Sequence, residues 1–135
     1  MLFYSQTEGS WFDENSHIIV SGCESGNDNM GKDMNNPLSQ CIHDRGPLPR
    51  GMYSIGTLEY QNAVKSMGCV LSPEIENNMC GRSGFFLHLR NLQHKAPDGT
   101  NASSDGCITF GSLAELEIIA NRPEKQFTVI SQFST

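Results

Sequence analysis

No stretch of this chain is apolar for long enough to cross a bilayer. A spanning helix needs roughly 20 such residues, and the longest candidates here are runs such as Ile18-Ile19-Val20. No membrane insertion is expected. No secretory leader is expected either, since Met1-Leu2-Phe3-Tyr4 passes at once into Ser5-Gln6-Thr7-Glu8 without a basic or an apolar region. If the protein works outside the cytoplasm, something other than a signal peptide must carry it. Basic residues are scarce, with 9 Lys and Arg against 15 Asp and Glu, a net charge of -6 and a pI near 5.0. Nucleic acids and anionic membranes are thereby disfavoured, because their binders need clustered cations to displace counterions. No Cys-x-x-Cys occurs, and His17, His43, His88 and His94 complete no zinc set. Neither a metal nor a cofactor is expected. Internal repeats and low-complexity tracts are also absent.

What is present suits one soluble unit. The 135 residues are enough for a single core, and 13 Gly with 6 Pro promise many turns. One domain over residues 1–135 is expected. Short β-prone runs separated by turn residues predict strands at Leu2–Ser5, Ser10–Phe12 and His17–Ser21, an antiparallel meander. Further β runs are Met52–Ile55, Cys69–Leu71, Phe85–Leu89, Cys107–Phe110 and the alternating tail from Gln126 to Phe133. The polar, Gly-rich residues 22–36 predict a surface loop. One helix is expected from Ser112, where Ser-Leu-Ala-Glu forms a capping box and Leu113, Leu116, Ile119 and Ala120 share a face. It should stop near Asn121, before Pro123. The fold class is mainly β with one short helix.

Five cysteines, Cys23, Cys41, Cys69, Cys80 and Cys107, leave one unpaired if the rest form two bridges. Cys69 with Cys80 is the first pairing to expect, and buried free thiols are the equal alternative. Around Cys107 the local sequence suits a nucleophile. In Ser104-Asp105-Gly106-Cys107, glycine permits a tight turn before the sulfur, so the Gly106 and Cys107 amides can converge on a developing oxyanion. His88, near the end of a predicted strand that can pair beside Cys107, is the candidate base. By itself such a pair is a weak signal, since cysteine and histidine are often only packed residues.

The spacing adds to it. His88, the spacer 89–103 and then Ser104-Asp105-Gly106-Cys107-Ile108 resemble the active-site signature of the L,D-transpeptidase family: His, a spacer of similar length, Ser/Thr-His-Gly-Cys and an apolar residue. Asp105 replaces the usual second histidine, and Thr109 only weakly matches the polar or basic residue two places after the cysteine. Gly46-Pro47-Leu48-Pro49-Arg50-Gly51-Met52-Tyr53, preceded by Asn35-Asn36-Pro37, is similar to a segment of the L,D-transpeptidase-like antibacterial effectors injected through type VI secretion.

The resemblance implies a β-sandwich with a shallow cleft, acting on the tetrapeptide stems of peptidoglycan as an L,D-carboxypeptidase, an L,D-transpeptidase exchanging D-amino acids, or both. Cys107 would attack and His88 would be its base, oriented by the carbonyl of Leu89. Gly106, Asp105 and Ser104 would frame the oxyanion site. Arg50 and Tyr53 are candidate substrate contacts, with solvated or core side chains as the plain alternative. An effector made in the cytoplasm and acting in a target's periplasm implies a secretion apparatus and a cognate immunity protein as partners. The rival readings are another cell-wall cysteine peptidase or amidase, and a non-catalytic secreted binding domain.

Overall fold

The computed structural model describes residues 1–27, 32–90 and 106–133. Its first strands are β1 (Leu2–Ser5), β2 (Ser10–Asp13) and β3 (Ile18–Val20), paired antiparallel in sequence as expected. Gly9 at φ 63° and Ser16 at φ 67° make the two reversals. Then follow β4 (Glu24–Ser25), β5 (Gly51–Ile55), β6 (Glu59–Gln61), β7 (Ser66–Pro73), β8 (Phe86–Leu89), β9 (Ile108–Phe110), the helix α1 (Leu113–Ala120) and β10 (Gln126–Ile130). The fold is mainly β, with one helix longer than a turn among the described residues. Helices there are all too short and too polar to cross a membrane.

The strands run in the order β3-β2-β1-β10-β5-β7-β8-β9-β4, with β6 on β7. The sheet is mixed, because β1 pairs with β10 and β8 with β9 in parallel. Strand β7 serves two neighbourhoods: residues 71–73 pair with β5, and residues 66–70 pair with β6 and β8. The sheet doubles over there. Trp11 on β2 and Phe110 on β9 stand far apart in the strand order, yet their rings stack at 5.9 Å. Phe127 lies 4.7 Å from Trp11 on another side, and Tyr53 stacks on Phe127 at 5.6 Å. These rings and Leu87, Ile108, Leu116 and Ile119 are fully buried, each such side chain contributing roughly 1.5–3 kcal/mol by leaving water.

Helix α1 starts where the capping box puts it. Ser112 Oγ accepts from the Glu115 N–H at 3.2 Å and donates to the Glu115 carboxylate at 3.1 Å. Leu116, Ile119 and Ala120 are buried, and the helix ends at Asn121. Leu113, expected on the same face, is 42% exposed.

Three expectations need correction. Residues 22–36 are not only a surface loop: β4 pairs with β9, and the Asn35 carboxamide accepts from the Ser25 N–H while donating to the Cys23 carbonyl. A two-residue strand shows no periodicity to detect. Strand β6, largely exposed, was not expected either. The bridge is Cys41–Cys80, with Cα atoms 5.3 Å apart, and not Cys69–Cys80. Cys69 sits in the middle of β7 opposite Leu87, facing the core; it and Cys23 are free, buried thiols.

Candidate active site

The parallel pairing of β8 and β9 sets the geometry. Leu87 lies opposite Ile108 and His88 opposite Thr109, so the position before β9 places Cys107 opposite Phe86. Leu87, Ile108 and Phe110 fill the core beneath Trp11. Alternation then puts positions 86, 88, 107 and 109 on the other face. Cys107 and His88 are thus neighbours on adjoining strands, two register positions apart. Cys107 Sγ accepts from the Phe86 N–H at 3.3 Å, the sulfur replacing a strand carbonyl at the start of the ladder. A donor aimed at sulfur favours the thiolate over the thiol.

His88 is nearly buried, with Nδ1 2.7 Å from the Leu89 carbonyl oxygen. Since that oxygen can only accept, Nδ1 carries the proton and Nε2 keeps its lone pair. Burial holds the imidazole below its usual pKa, against an opposing pull from the Leu89 carbonyl. A neutral ring with a free Nε2 is the form that takes a proton from a thiol. Gly68, opposite His88 on β7, leaves that flank of the ring without a side chain. On the other flank the Thr109 hydroxyl donates to the Glu24 carbonyl at 3.0 Å, fastening β9 to β4.

Behind the sulfur the backbone is closely braced. Gly106 adopts φ 129°, and a Cβ there would collide with the Arg82 guanidinium and the Phe85 ring. Its carbonyl accepts from Ser25 Oγ at 2.9 Å, and that oxygen in turn accepts from the Leu48 N–H at 2.8 Å. The proline segment therefore reaches the cysteine turn through one serine. Arg82, 4% exposed, donates to the carbonyls of Gln40, Gly46 and Pro47 and lies 5.1 Å over the Phe85 ring. Asn36 caps the 3-10 turn Pro37–Ser39 that leads into this loop, accepting from the Leu38 N–H at 3.0 Å.

Cys107 opens onto a pocket of ≈ 170 Å³ lined also by His43, Asp44, Arg82, Gly84 and Phe85. The Cys41–Cys80 bridge joins its two walls, since one loop carries His43 and the other Arg82. His88 is not among the residues lining it. Among the other free thiols, burial pushes Cys23 up to about 12 and Cys69 up to about 11.

The remaining residues singled out from the sequence divide. Leu89 supplies the carbonyl on His88. Arg50 is exposed, its guanidinium donating to the Gln6 side chain at 3.3 Å. Tyr53 is fully buried, donates its hydroxyl to the Pro49 carbonyl at 2.6 Å and holds the proline segment from beneath, with no surface for a substrate. Ser104, Asp105 and His94 lie outside the described residues. Sequence reasoning missed Ser25 and Arg82. The sole hint of Arg82 was a lone arginine between turn residues in Gly81-Arg82-Ser83-Gly84. Among the described residues no group of three or more His, Cys, Asp and Glu could hold a metal ion.

No curated protein matches the chain. The family model of the Tlde1 domain matches residues 23–132, most of the length and every element from β4 to β10. Strands β1 to β3 precede the matched stretch, yet Trp11 shares one core with Phe110 and Phe127. With that match over a cysteine and a histidine on paired strands, the chain belongs to the Tlde1 domain family, L,D-transpeptidase-like type VI secretion effectors directed at peptidoglycan.

Proposed function

We propose that this protein is a cysteine enzyme that removes or exchanges the terminal D-alanine of peptidoglycan tetrapeptide stems. The observation that carries the reading is the β8–β9 register, which sets Cys107 beside a His88 whose Nδ1 is engaged by the Leu89 carbonyl. In this mechanism Nε2 of His88 takes the thiol proton as Cys107 Sγ attacks the carbonyl that joins the diaminopimelate residue to D-alanine. The Gly106 and Cys107 amides receive the oxyanion. Collapse expels D-alanine, protonated by His88, and leaves a thioester. Water then yields the shortened stem, and a D-amino acid yields the exchanged one. Asp105 and Ser104 would border the oxyanion site, and exposed Arg50 would meet the stem or glycan beyond the pocket.

Residues 1–135 act as one catalytic unit in this reading. The protein is made in the producing cell, delivered to the periplasm of a target and held in check at home by an immunity protein over the Cys107 cleft. Incubation with purified tetrapeptide muropeptides tests the chemistry. Mass spectrometry should find loss or replacement of the terminal D-alanine with the wild type and no change with Cys107→Ala. Cleavage elsewhere in the stem would instead identify a different peptidase or amidase. Periplasmic targeting should make the wild type toxic and cytoplasmic expression should not; equal toxicity from both would exclude the wall as the target.

A further inference from the structure

Arg82 has no part in the chemistry just described, yet it is a nearly buried cation on the wall of the pocket that contains Cys107. Its three carbonyl acceptors, Gln40, Gly46 and Pro47, all lie on one loop. A guanidinium braced this way cannot swing out to water, so its charge is fixed in place. The direction is fixed as well. The Cβ that Gly106 lacks would occupy the space taken by Arg82 Nη2 and the edge of Phe85, so the glycine lets the cation approach the backbone next to the nucleophile. An ordinary structural arginine at a loop base needs neither that glycine nor a place beside a thiol.

The other described charges on the elements around Cys107 have less hold on the sulfur. His43 and Asp44, from the 40–47 loop, are 67% and 79% exposed, and water screens them. Burial disfavours the charged form of His88 on β8. Glu24 on β4 pairs with Arg90 at 2.9 Å. Arg82 is thus the cation among them that both lines the pocket with Cys107 and is shielded from solvent, where a charge acts over low-dielectric surroundings.

Taking Cys107 as the nucleophile proposed above, we infer that Arg82 is its electrostatic positioning residue: the buried guanidinium favours the thiolate and, through Gly46, Pro47 and Gly106, fixes the turn that presents the oxyanion amides. Arg82 needs no contact with substrate for this. It adds a fixed positive field to the Phe86 N–H already aimed at the sulfur, and the same field meets the negative charge that develops on the attacked carbonyl.

The rate of alkylation by iodoacetamide against pH tests the inference, with peptide mapping to confirm that the label is on Cys107. Over roughly pH 5 to 9 the other thiols stay silent, two by burial and two by their bridge. The wild type should react with a midpoint well below that of a free thiol. Arg82→Gln, which keeps donors for the carbonyls but loses the charge, should raise the midpoint by about one unit or more. Arg82→Lys, which keeps the charge but loses the fork, should stay close to wild type in midpoint while kcat on muropeptides falls. Circular dichroism and thermal unfolding establish that each variant is folded. An unchanged midpoint in folded Arg82→Gln overturns the inference; if that variant does not fold, a midpoint in Arg82→Lys raised to that of a free thiol does the same. A wild-type Cys107 that reacts like a free thiol would instead sink the nucleophile assignment itself.

Discussion

Two parts of this sheet carry concavities of opposite character. Along β1, β10 and β5 runs an open groove of ≈ 620 Å³, bordered by Met52, Ser54, Gln126 and Phe127, with neither cysteine nor histidine on its walls. At the start of β8 and β9 lies a pocket of ≈ 170 Å³ holding a thiol, a buried arginine and a glycine turn. The larger has room without chemistry, whereas in the smaller the polar groups are held by partners. Acyl transfer depends on donors and charges fixed before the substrate arrives, because groups that must reorganise give up most of their advantage. Fixity, not volume, distinguishes the two.

The contrast is broken most directly by mutation on each side. Cys107→Ala should abolish turnover of tetrapeptide muropeptides, and His88→Ala should lower kcat/KM by several orders of magnitude, since an unassisted thiol is mostly protonated at neutral pH. Met52→Ala in the groove, at a half-exposed position, should leave the rate unchanged. A Met52 effect as large as that of His88 would move the active site to the groove. Next in size is Gly106→Ala, where the left-handed φ and the collision with Arg82 displace the oxyanion amides; kcat should fall by about 100-fold. Gly111→Ala is its control, with an ordinary φ and only van der Waals contacts waiting for the methyl group. Equal losses in both would mean that glycine near the site matters for folding alone.

Smaller effects sharpen the comparison. Closing a loop between residues 39 positions apart stabilises by about 4 kcal/mol in the chain-entropy model, so Cys41→Ser should lower the urea-unfolding free energy by about that much. The variant should keep a folded core, which lies away from the bridge. The slightest effect is that of pH. His88 titrates below its usual value because burial opposes its charge, so kcat/KM should hold through neutrality and decline about tenfold per unit only below that lowered pKa. Stability follows the same group. Below about pH 6.5 the unfolded chain takes up a proton that folded His88 refuses, so the folded state loses stability as pH falls from there towards the lowered pKa. An activity loss that begins above neutrality would point to a different base.

Legibility in the sequence followed the range of the interactions. The capping box at Ser112 and Glu115 and the meander from Leu2 to Val20 depend on neighbours in the chain, and both could be read locally. Pairing of Cys41 with Cys80 depends on two loops meeting under Arg82, which no spacing encodes. The site divides in the same way. The candidates Cys107, His88 and Leu89 could be named because their motif is compact, and Gly106 because a turn beside a proposed nucleophile calls for glycine. Ser25 and Arg82 act from other parts of the chain, through a serine hydroxyl and a guanidinium bonded to backbone, and serine and arginine are ordinary residues until the fold brings them to Gly106. Tyr53 had two readings for a related reason: in a proline-rich motif, an aromatic that braces the turn, as this buried one does, and one that greets a ligand look alike.

The Cys41–Cys80 bridge ties the protein's behaviour to the redox state of its surroundings. In a cell that keeps thiols reduced, the two loops around the pocket are joined by the hydrogen bonds of Arg82 and its neighbours; where thiols are oxidised, the same chain becomes covalently closed beside the pocket. On the reading proposed above, in which the protein acts in a target's periplasm, it passes from the first condition to the second. Its toughness is then acquired on arrival, so protein taken from the cytoplasm should show five titratable thiols on denaturation and protein taken from the periplasm three. Five in both places would mean that the bridge is not part of its working life.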